Sequence, residues 1–488
     1  MNQKRILTLL LAALLVLPTL AACGESQTET ADTGTAGVAG ETESESETGY
    51  ADGLPERDFA GQVFTTLTGS GYASMLVGEE LTGEVLNDAL YNRDRIVEGR
   101  FNAVIEPAYM DDVQLAMQNA VASGDDIYSV ADNGYVALGI DVAQGWYLNA
   151  RDVPYLNFDQ PWYSQEVNSE LTYKDRTFVF VSDYSLSNIH YADCLLWNLD
   201  MAEEYDLENI YDVVREYRWT KEKMEEMCLN VYKDINGDGV KDEEDQYGIV
   251  METKGDPTNI FRNFGHRILQ RQSDGTFKDV FYDEALISQV EWMYNIAHNE
   301  QSVYCKDEWN LGYNMFVKGK TLLGYAFIHM VGWGLRDLDI DYAILPRPLW
   351  DENQEKYYST IAGSAEATVF VRTLQDREFA GIIMEALAST SHEITVPAYY
   401  ENVLSYKLSR DEATLDMLEL IMDGRTYDFG YVYGAFESHG GGAAFWLCDV
   451  IRGNGDITSY YQARKNNWEN YMAKVYNQFE SYKDDTLE

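Results

Sequence analysis

Beyond its N-terminal segment this 488-residue chain has no apolar run long enough to cross a membrane. Cations are also scarce: Lys and Arg number 36 against 82 Asp and Glu, a formal net charge of -46. That surplus repels phosphate backbones, which excludes nucleic acid as a partner, and it works against anionic substrates, leaving neutral ligands as the natural expectation. Apart from Cys23, the cysteines are Cys194, Cys228, Cys305 and Cys448, widely spaced and without a CxxC pair, so no redox or thiolate-metal motif exists. One or two disulfides are open to a chain outside the cell, and so are buried free thiols at Cys194 and Cys448, which sit in the apolar contexts ADCLLW and AFWLCDV. The histidines, His190, His266, His298, His329, His392 and His439, form no HExxH, and neither a GxSxG elbow nor a Walker loop occurs. Metalloprotease and kinase chemistry fall away, and no catalytic residue is assigned. Carboxylate pairs suited to glycoside hydrolysis carry no information in so acidic a chain. Gly440-Gly441-Gly442 is a lone glycine run that reads as a loop.

What is present begins with Lys4 and Arg5, followed by the apolar run Ile6 to Ala22, which together read as a signal peptide over residues 1–22. The run ends in Leu20-Ala21-Ala22-Cys23-Gly24, which resembles the bacterial lipobox. That resemblance implies cleavage before Cys23 and a diacylglycerol on its thiol. The expectation is a protein on the extracellular side of the cell membrane, touching the membrane through its lipid anchor only. Residues 23–57, rich in Thr, Ser, Glu and Gly, carry too little apolar surface to offset the entropy of ordering and read as a disordered acidic linker. A charged, self-repelling linker of this kind holds a folded body clear of the membrane.

From Asp58 onward about 430 residues remain, too many for one ordinary core and consistent with two lobes. The order starts as strand Gln62 to Thr68, the loop Gly69-Ser70-Gly71, helix Glu84 to Phe101, strand Ala103 to Glu106, helix Asp112 to Ala122 and strand Asp126 to Ala131. Such alternation implies a doubly wound, mainly parallel sheet with ligand loops at its carboxyl ends, after Thr68 and after Ala131. Further strands are predicted at Phe178 to Ser182, Tyr191 to Asn198, Thr321 to Phe327 and Thr368 to Val371, with Thr220 capping a helix and Asp411 to Phe479 mostly helical. Aromatic content is 13%, with Tyr 36 and Trp 10, enough flat faces to stack on sugar rings as well as to fill a core.

The sharpest local motif is Asp234-Ile-Asn236-Gly-Asp238-Gly239-Val240-Lys-Asp242-Glu-Glu-Asp245. Oxygen side chains fall at loop positions 1, 3, 5, 9 and 12 with glycine at 6, the spacing by which a loop wraps a hard cation. Val240 offers its carbonyl, and Asp245 replaces the longer bidentate Glu. A structural calcium ion is expected on Asp234, Asn236, Asp238, Val240, Asp242 and Asp245; the alternative is an Asx-turn that closes without metal.

Phe316-Val-Lys-Gly319-Lys320-Thr-Leu-Leu, then Gly332-Trp333, then Ile340-Asp-Tyr-Ala-Ile-Leu345-Pro346-Arg-Pro348 resemble the extracellular solute-binding proteins of carbohydrate ABC transporters. Leu195-Leu-Trp-Asn198 and Trp219-Thr220 agree with that order, and Val396-Pro-Ala-Tyr399-Tyr400-Glu with Arg425-Thr-Tyr427-Asp428 look like a clostridial subgroup of such lipoproteins. The resemblance implies an α/β fold of two doubly wound lobes joined by hinge strands, with a ligand cleft between them and a helical C-terminal region. Lobe 1 would take 58–188 plus 357–392, and lobe 2 would take 189–356 plus 393–488. It implies a non-enzymatic, monomeric binding protein that captures a mono- or oligosaccharide and delivers it to ABC permease subunits. Trp333 would stack on a sugar ring. Ser70, Asp132 and Asn133 are the hydrogen-bonding candidates from lobe 1, and Glu366, after Ala362-Gly363, either accepts sugar hydroxyls or caps a helix. Trp162, Tyr163, Tyr433 and Trp446 are secondary aromatic candidates for which core packing competes. A secreted glycan-active hydrolase, or a surface glycan-binding module without a permease, remains the alternative.

Overall fold

A computed structural model of the chain describes residues 52–69, 71, 73–335, 338–407, 412–434 and 442–483. All belong to one unit, Tyr50–Glu488. Cys23, Ser70 and His439 to Gly441 lie outside the described residues. The chain opens with strand β1, Gln62–Gly69, helix Val85–Phe101 and β2, Ala103–Met110. Asn102 turns the corner between helix and strand in the left-handed conformation, where Asn is one of the few residues to sit readily. Asp112 then caps helix Val113–Ser123, its Oδ1 accepting from Leu115 N at 2.9 Å, and Gly124 ends that helix with φ 75°. Strand β3, Val130–Gly134, follows.

The next strands are β4, Asp193–Asn198, and β5, Tyr247–Glu252; a short hairpin of β6, Leu269–Arg271, and β7, Phe277–Asp279; then β8, Val303–Lys306, β9, Thr321–Phe327, and β10, Tyr342–Leu345. Last come β11, Ser359–Thr360, β12, Glu366–Val369, and β13, Arg425–Thr426. Two main sheets result. Lobe 1 has the order β12-β3-β1-β2, with β1, β2 and β3 parallel and β12 antiparallel to β3. Lobe 2 has the order β10-β4-β9-β5-β8, in which only β4 runs against the others. Every residue of β4 and of β5 is buried, as expected of central strands covered on both faces. Behind β4, Trp197 meets Trp219 edge to face, and the Trp219 indole N–H donates to Pro346 O at 3.2 Å.

Phe178 to Ser182, predicted as a strand, pairs only through isolated bridges, Phe180 with Thr368 and Tyr163 with Ser182. It lies alongside β12 for too short a stretch to build a ladder. The C-terminal region does not sit wholly on lobe 2. Helix Glu412–Asp423 packs on β10 and helix Ala443–Ile451 on helix Asp256–Asn263, but helix Val396–Lys407 packs on Val85–Phe101 of lobe 1. Helix Ile457–Ser481 likewise delivers Phe479 against Phe178, and the hydroxyl of the following Tyr482 accepts from Asn149 N of lobe 1 at 3.1 Å. Aromatic surface explains the difference: the tail has apolar residues for both lobes. The four described cysteines are free thiols, Cys305 half-buried and the others buried. No helix among the described residues is long and apolar enough to cross a membrane.

Candidate functional site

The two sheets point their ends at one junction. In lobe 1, β1 ends at Thr68-Gly69, β3 at Asn133-Gly134, and the returning chain Ala362-Gly363-Ser364 leads into β12 beside them. The approach is so close that a Cβ on Gly134 would fall 3.2 Å from Gly363 O, and one on Gly363 would fall 3.0 Å from Val136 Cγ2 and 3.3 Å from the Tyr431 hydroxyl. Asn133, Val136 and Gly363 are half-buried and Ser364 is exposed, so this wall is open to a ligand.

Behind it lies a buried acidic network. Glu366, fully buried, accepts from the hydroxyls of Thr68 at 3.4 Å, Ser185 at 3.2 Å and Ser187 at 3.0 Å. Burial first, and Asp132 second, hold its carboxyl well above the usual range. Asp132 accepts from Thr368 Oγ1 at 2.5 Å, and its other oxygen is buried without a partner among the described residues. Burial pushes its carboxyl up to about 7. The network is a pair of buried carboxyls lined by hydroxyls, both shifted toward holding their protons.

The link to lobe 2 runs through Ser187–His190, Tyr191 and Ala192, the last bridging Ile361 of the return crossing. Ala362 N donates to Tyr191 O at 3.1 Å. Tyr191 stands 4.6 Å from the ring of His329, which also stacks on His190 at 4.9 Å and lies parallel to Phe327 at 5.9 Å. All four rings are half-buried and form an aromatic cluster at the hinge, His329 stacked between His190 and Phe327 with Tyr191 tilted against it. His190 shares a 3.0 Å hydrogen bond with the Tyr399 hydroxyl, and His329 Nδ1 one of 3.2 Å with His190 O. Burial lowers the first imidazole to about 3 and the second to about 4, so both are neutral platforms at neutral pH.

Lobe 2 reaches the junction with Asp193, the first residue of β4, which pairs with Phe327 at the end of β9. Arg347 grips Asp193 in two hydrogen bonds of 2.8 and 2.6 Å and lies 3.8 Å over the Tyr325 ring. Asn263 and Thr360 donate to the same carboxylate at 2.7 and 3.3 Å. Because β5 and β8 run parallel to β9, their carboxyl ends lie on this side of the sheet too. From the C-terminal region, Tyr431 covers Arg262 at 3.8 Å and stacks on the half-buried Phe445 at 6.1 Å. The open surface is thus aromatic and neutral-polar, while the charges beneath it are paired or protonated. It is suited to a ligand with hydroxyls and apolar faces.

The candidates read from sequence separate into groups. Asp132 and Glu366 sit behind the wall, bonded within the protein, rather than on its surface. Asn133 is at the wall, its Oδ1 accepting from Gly134 N at 2.8 Å. Trp162 is 3% exposed inside the lobe 1 core, where its indole N–H donates to Glu385 at 3.1 Å; the Tyr163 hydroxyl donates to the same carboxyl at 2.7 Å. Tyr433 is fully buried and donates to Leu171 O at 3.0 Å, and Trp446 is buried against Phe281. These four aromatics belong to the core, each almost wholly removed from solvent. Trp333 ends the short helical turn Ile328–Trp333 that follows β9; its side chain, like Ser70, lies outside the described residues. The sequence reading missed Tyr191, His190, His329 and Phe327. Its available signal was position: His190 and Tyr191 lie just before β4, Phe327 ends β9 and His329 follows it, shortly before the Gly332-Trp333 already singled out.

In the acidic loop, Asp234 accepts from Gly237 N at 2.7 Å and Gly239 N at 3.0 Å, and Asp245 from Ile235 N at 3.3 Å and Tyr232 Oη at 3.1 Å. Asn236 and Asp238 cap the next residues but one, accepting from Asp238 N and Val240 N. Asp242 accepts from Glu244 N at 2.8 Å. Gly237 and Gly239 take φ 74° and 72°, which is why glycine stands there. Among the described residues no three acidic, His or Cys side chains converge as a metal cage. The loop closes on its own hydrogen bonds.

No protein-family model matches the chain, and no curated protein does. Solved structures do. An ABC substrate-binding protein from Listeria monocytogenes in complex with cycloalternan is 10% identical with a TM-score of 0.51, over 87% of this chain and 100% of that one. The maltose/maltodextrin-binding domain from Bdellovibrio bacteriovorus bound to maltotriose is 14% identical with a TM-score of 0.53, over 86% and 100%. An ABC transporter solute-binding protein from Agrobacterium radiobacter in complex with ribitol is 13% identical with a TM-score of 0.52, over 85% and 100%. At such identities the likeness speaks for architecture: the chain has the two-lobed α/β fold of periplasmic-type solute-binding proteins.

Proposed function

We propose that the protein is the substrate-binding component of an ABC importer, capturing a neutral saccharide between its lobes and handing it to permease subunits without catalysing a reaction. The carrying observation is the junction itself, where the half-buried rings of His190, Tyr191, Phe327 and His329 lie at the crossing that leads, through Ala362 N on Tyr191 O, to the half-buried Gly363 and the exposed Ser364. Ring faces stack on the apolar faces of sugars, and polar edges take their hydroxyls. Closure would be stabilised by whatever contacts the ligand makes with both lobes, so binding reports itself as a change of shape. The two-lobed neighbours that hold an oligosaccharide or a polyol support this reading. Lipidation at Cys23 would anchor the molecule on the extracellular side of the cell membrane, with the acidic linker giving it reach to the permease.

Thermal melting against a panel of neutral saccharides tests the reading, because a ligand that binds only the folded state raises Tm. One structural class should do so; a broad panel without any stabilising sugar refutes it. The same melts bear on calcium, which we place as a structural ion at Asp234, Asn236, Asp238, Val240, Asp242 and Asp245. Binding would draw the exposed Asp238 and the half-buried Asp242 toward Asp234, so calcium should raise Tm and a chelator reverse the gain. Identical melts in both conditions would leave the loop as an Asx-turn.

A further inference from the structure

Trp309 is 56% exposed, an unusual position for a tryptophan. It follows β8, the outer strand of the lobe 2 sheet, at the end that faces the junction. From β9, which carries Phe327 and His329 to the hinge, β8 is two strands away across β5, a lateral span of about 10 Å at the usual strand spacing. The indole does not wave freely there. One face rests on Gly255, just past the end of β5, so closely that a Cβ on Gly255 would fall 2.9 Å from Trp309 Cζ3. Lys254 Nζ stands 5.7 Å from the ring centroid, and the hydrophobic ring keeps its exposed area despite that neighbour.

A second feature lies beside it. The same point above Gly255 is 2.9 Å from Glu252 Oε1. Glu252 is only 7% exposed, and its other oxygen is buried with no partner among the described residues. Backbone N–H groups of Asn310, Leu311 and Gly255 point at this carboxyl, so it is held in place. Burial first, and Asp256 second, push it well above the usual carboxylate range. A held but exposed indole with Lys254 over its ring, beside a buried carboxyl with unused hydrogen-bonding capacity, makes up a built subsite.

We propose that Trp309 and Glu252 form an outer subsite that takes the far ring of an extended oligosaccharide whose first ring lies at the hinge, so the preferred ligand spans at least two rings. This rests on the saccharide reading given above. Stacking on Trp309 rewards length, and Glu252 takes a hydroxyl of the same ring.

The test uses the full-length chain and its Trp309→Ala and Trp309→Phe variants in calorimetric titrations with malto-, manno- and cello-oligosaccharides of one to four rings. In the series that binds, wild-type affinity should rise with length. Trp309→Ala should lose roughly tenfold on the three-ring member and essentially nothing on the monosaccharide, with Trp309→Phe close to wild type. Equal losses at every length, or none on the three-ring member, would overturn the outer subsite while leaving saccharide capture intact. Failure of every series to bind the wild type would remove the saccharide reading and this inference with it. The exposed position of Trp309 makes unfolding of the variant an improbable complication, and melting curves check it.

Discussion

The two lobes bury carboxylates at their facing ends by opposite means. In lobe 1, Glu366 is surrounded by hydroxyls from Thr68, Ser185 and Ser187, and burial holds its carboxyl above the usual range. In lobe 2, Asp193 is held by Arg347 with Asn263 and Thr360 completing its shell. Neither arrangement leaves an unpaired charge facing the ligand. The comparison teaches that a protein with a large acidic excess accommodates buried carboxylates at the facing ends of its lobes by two routes, hydroxyl-lined burial that favours the proton in one lobe and pairing with a cation in the other.

The pair in lobe 2 should break more violently. Arg347→Ala leaves a buried, uncompensated carboxylate, and loss of one partner of such a pair costs about 3–5 kcal/mol. Urea denaturation should show that loss, and a shift under about 1 kcal/mol would mean that Asp193 is solvated. In lobe 1, Glu366→Ala strips three hydroxyls of their acceptor at a cost of about 1–3 kcal/mol, whereas Glu366→Gln keeps a neutral, hydrogen-bonding group. Equal destabilisation by the two variants would show that Glu366 is ionised, and the contrast between lobes would collapse. The smallest effect is on pH dependence. Asp132 is lifted from 3.8 to about 7 by burial, so between those values the folded protein holds the proton more tightly than the unfolded chain. Its contribution to stability is therefore greatest at low pH and is lost as pH rises through 7. Wild type should gain stability from pH 8 to pH 5 relative to Asp132→Asn, with a difference of roughly 2–4 °C in Tm. Parallel pH profiles would show that Asp132 is not the proton holder.

Much of the architecture could be read from local pattern. Thr321 to Phe327 is a strand end to end, and Asp112 caps its helix, because alternation, capping and turn chemistry are written within a few residues. The junction was harder. Whether Trp162 faces a ligand or a core is decided by Glu385, which satisfies its indole N–H from 223 residues away, and no nearby residue announces that partner. Tyr191 and His329 meet for an equally distant reason: the pairing of Asp193 with Phe327 brings their segments together. Phe178 to Ser182 has a strand's composition, but only its long-range neighbour shows how little of it pairs.

The position of β12 bears on how the protein comes into being. All five strands of the lobe 2 sheet lie between Asp193 and Leu345, an unbroken stretch of chain. The lobe 1 sheet pairs β3 with a strand that begins only at Glu366, so a growing or emerging chain cannot complete it until lobe 2 has passed. The N-terminal lobe is therefore the later to finish, with Asp132 and the open edge of β3 exposed while it waits. Such an edge invites wrong partners, and a helper that shields newly made chains would find its target there.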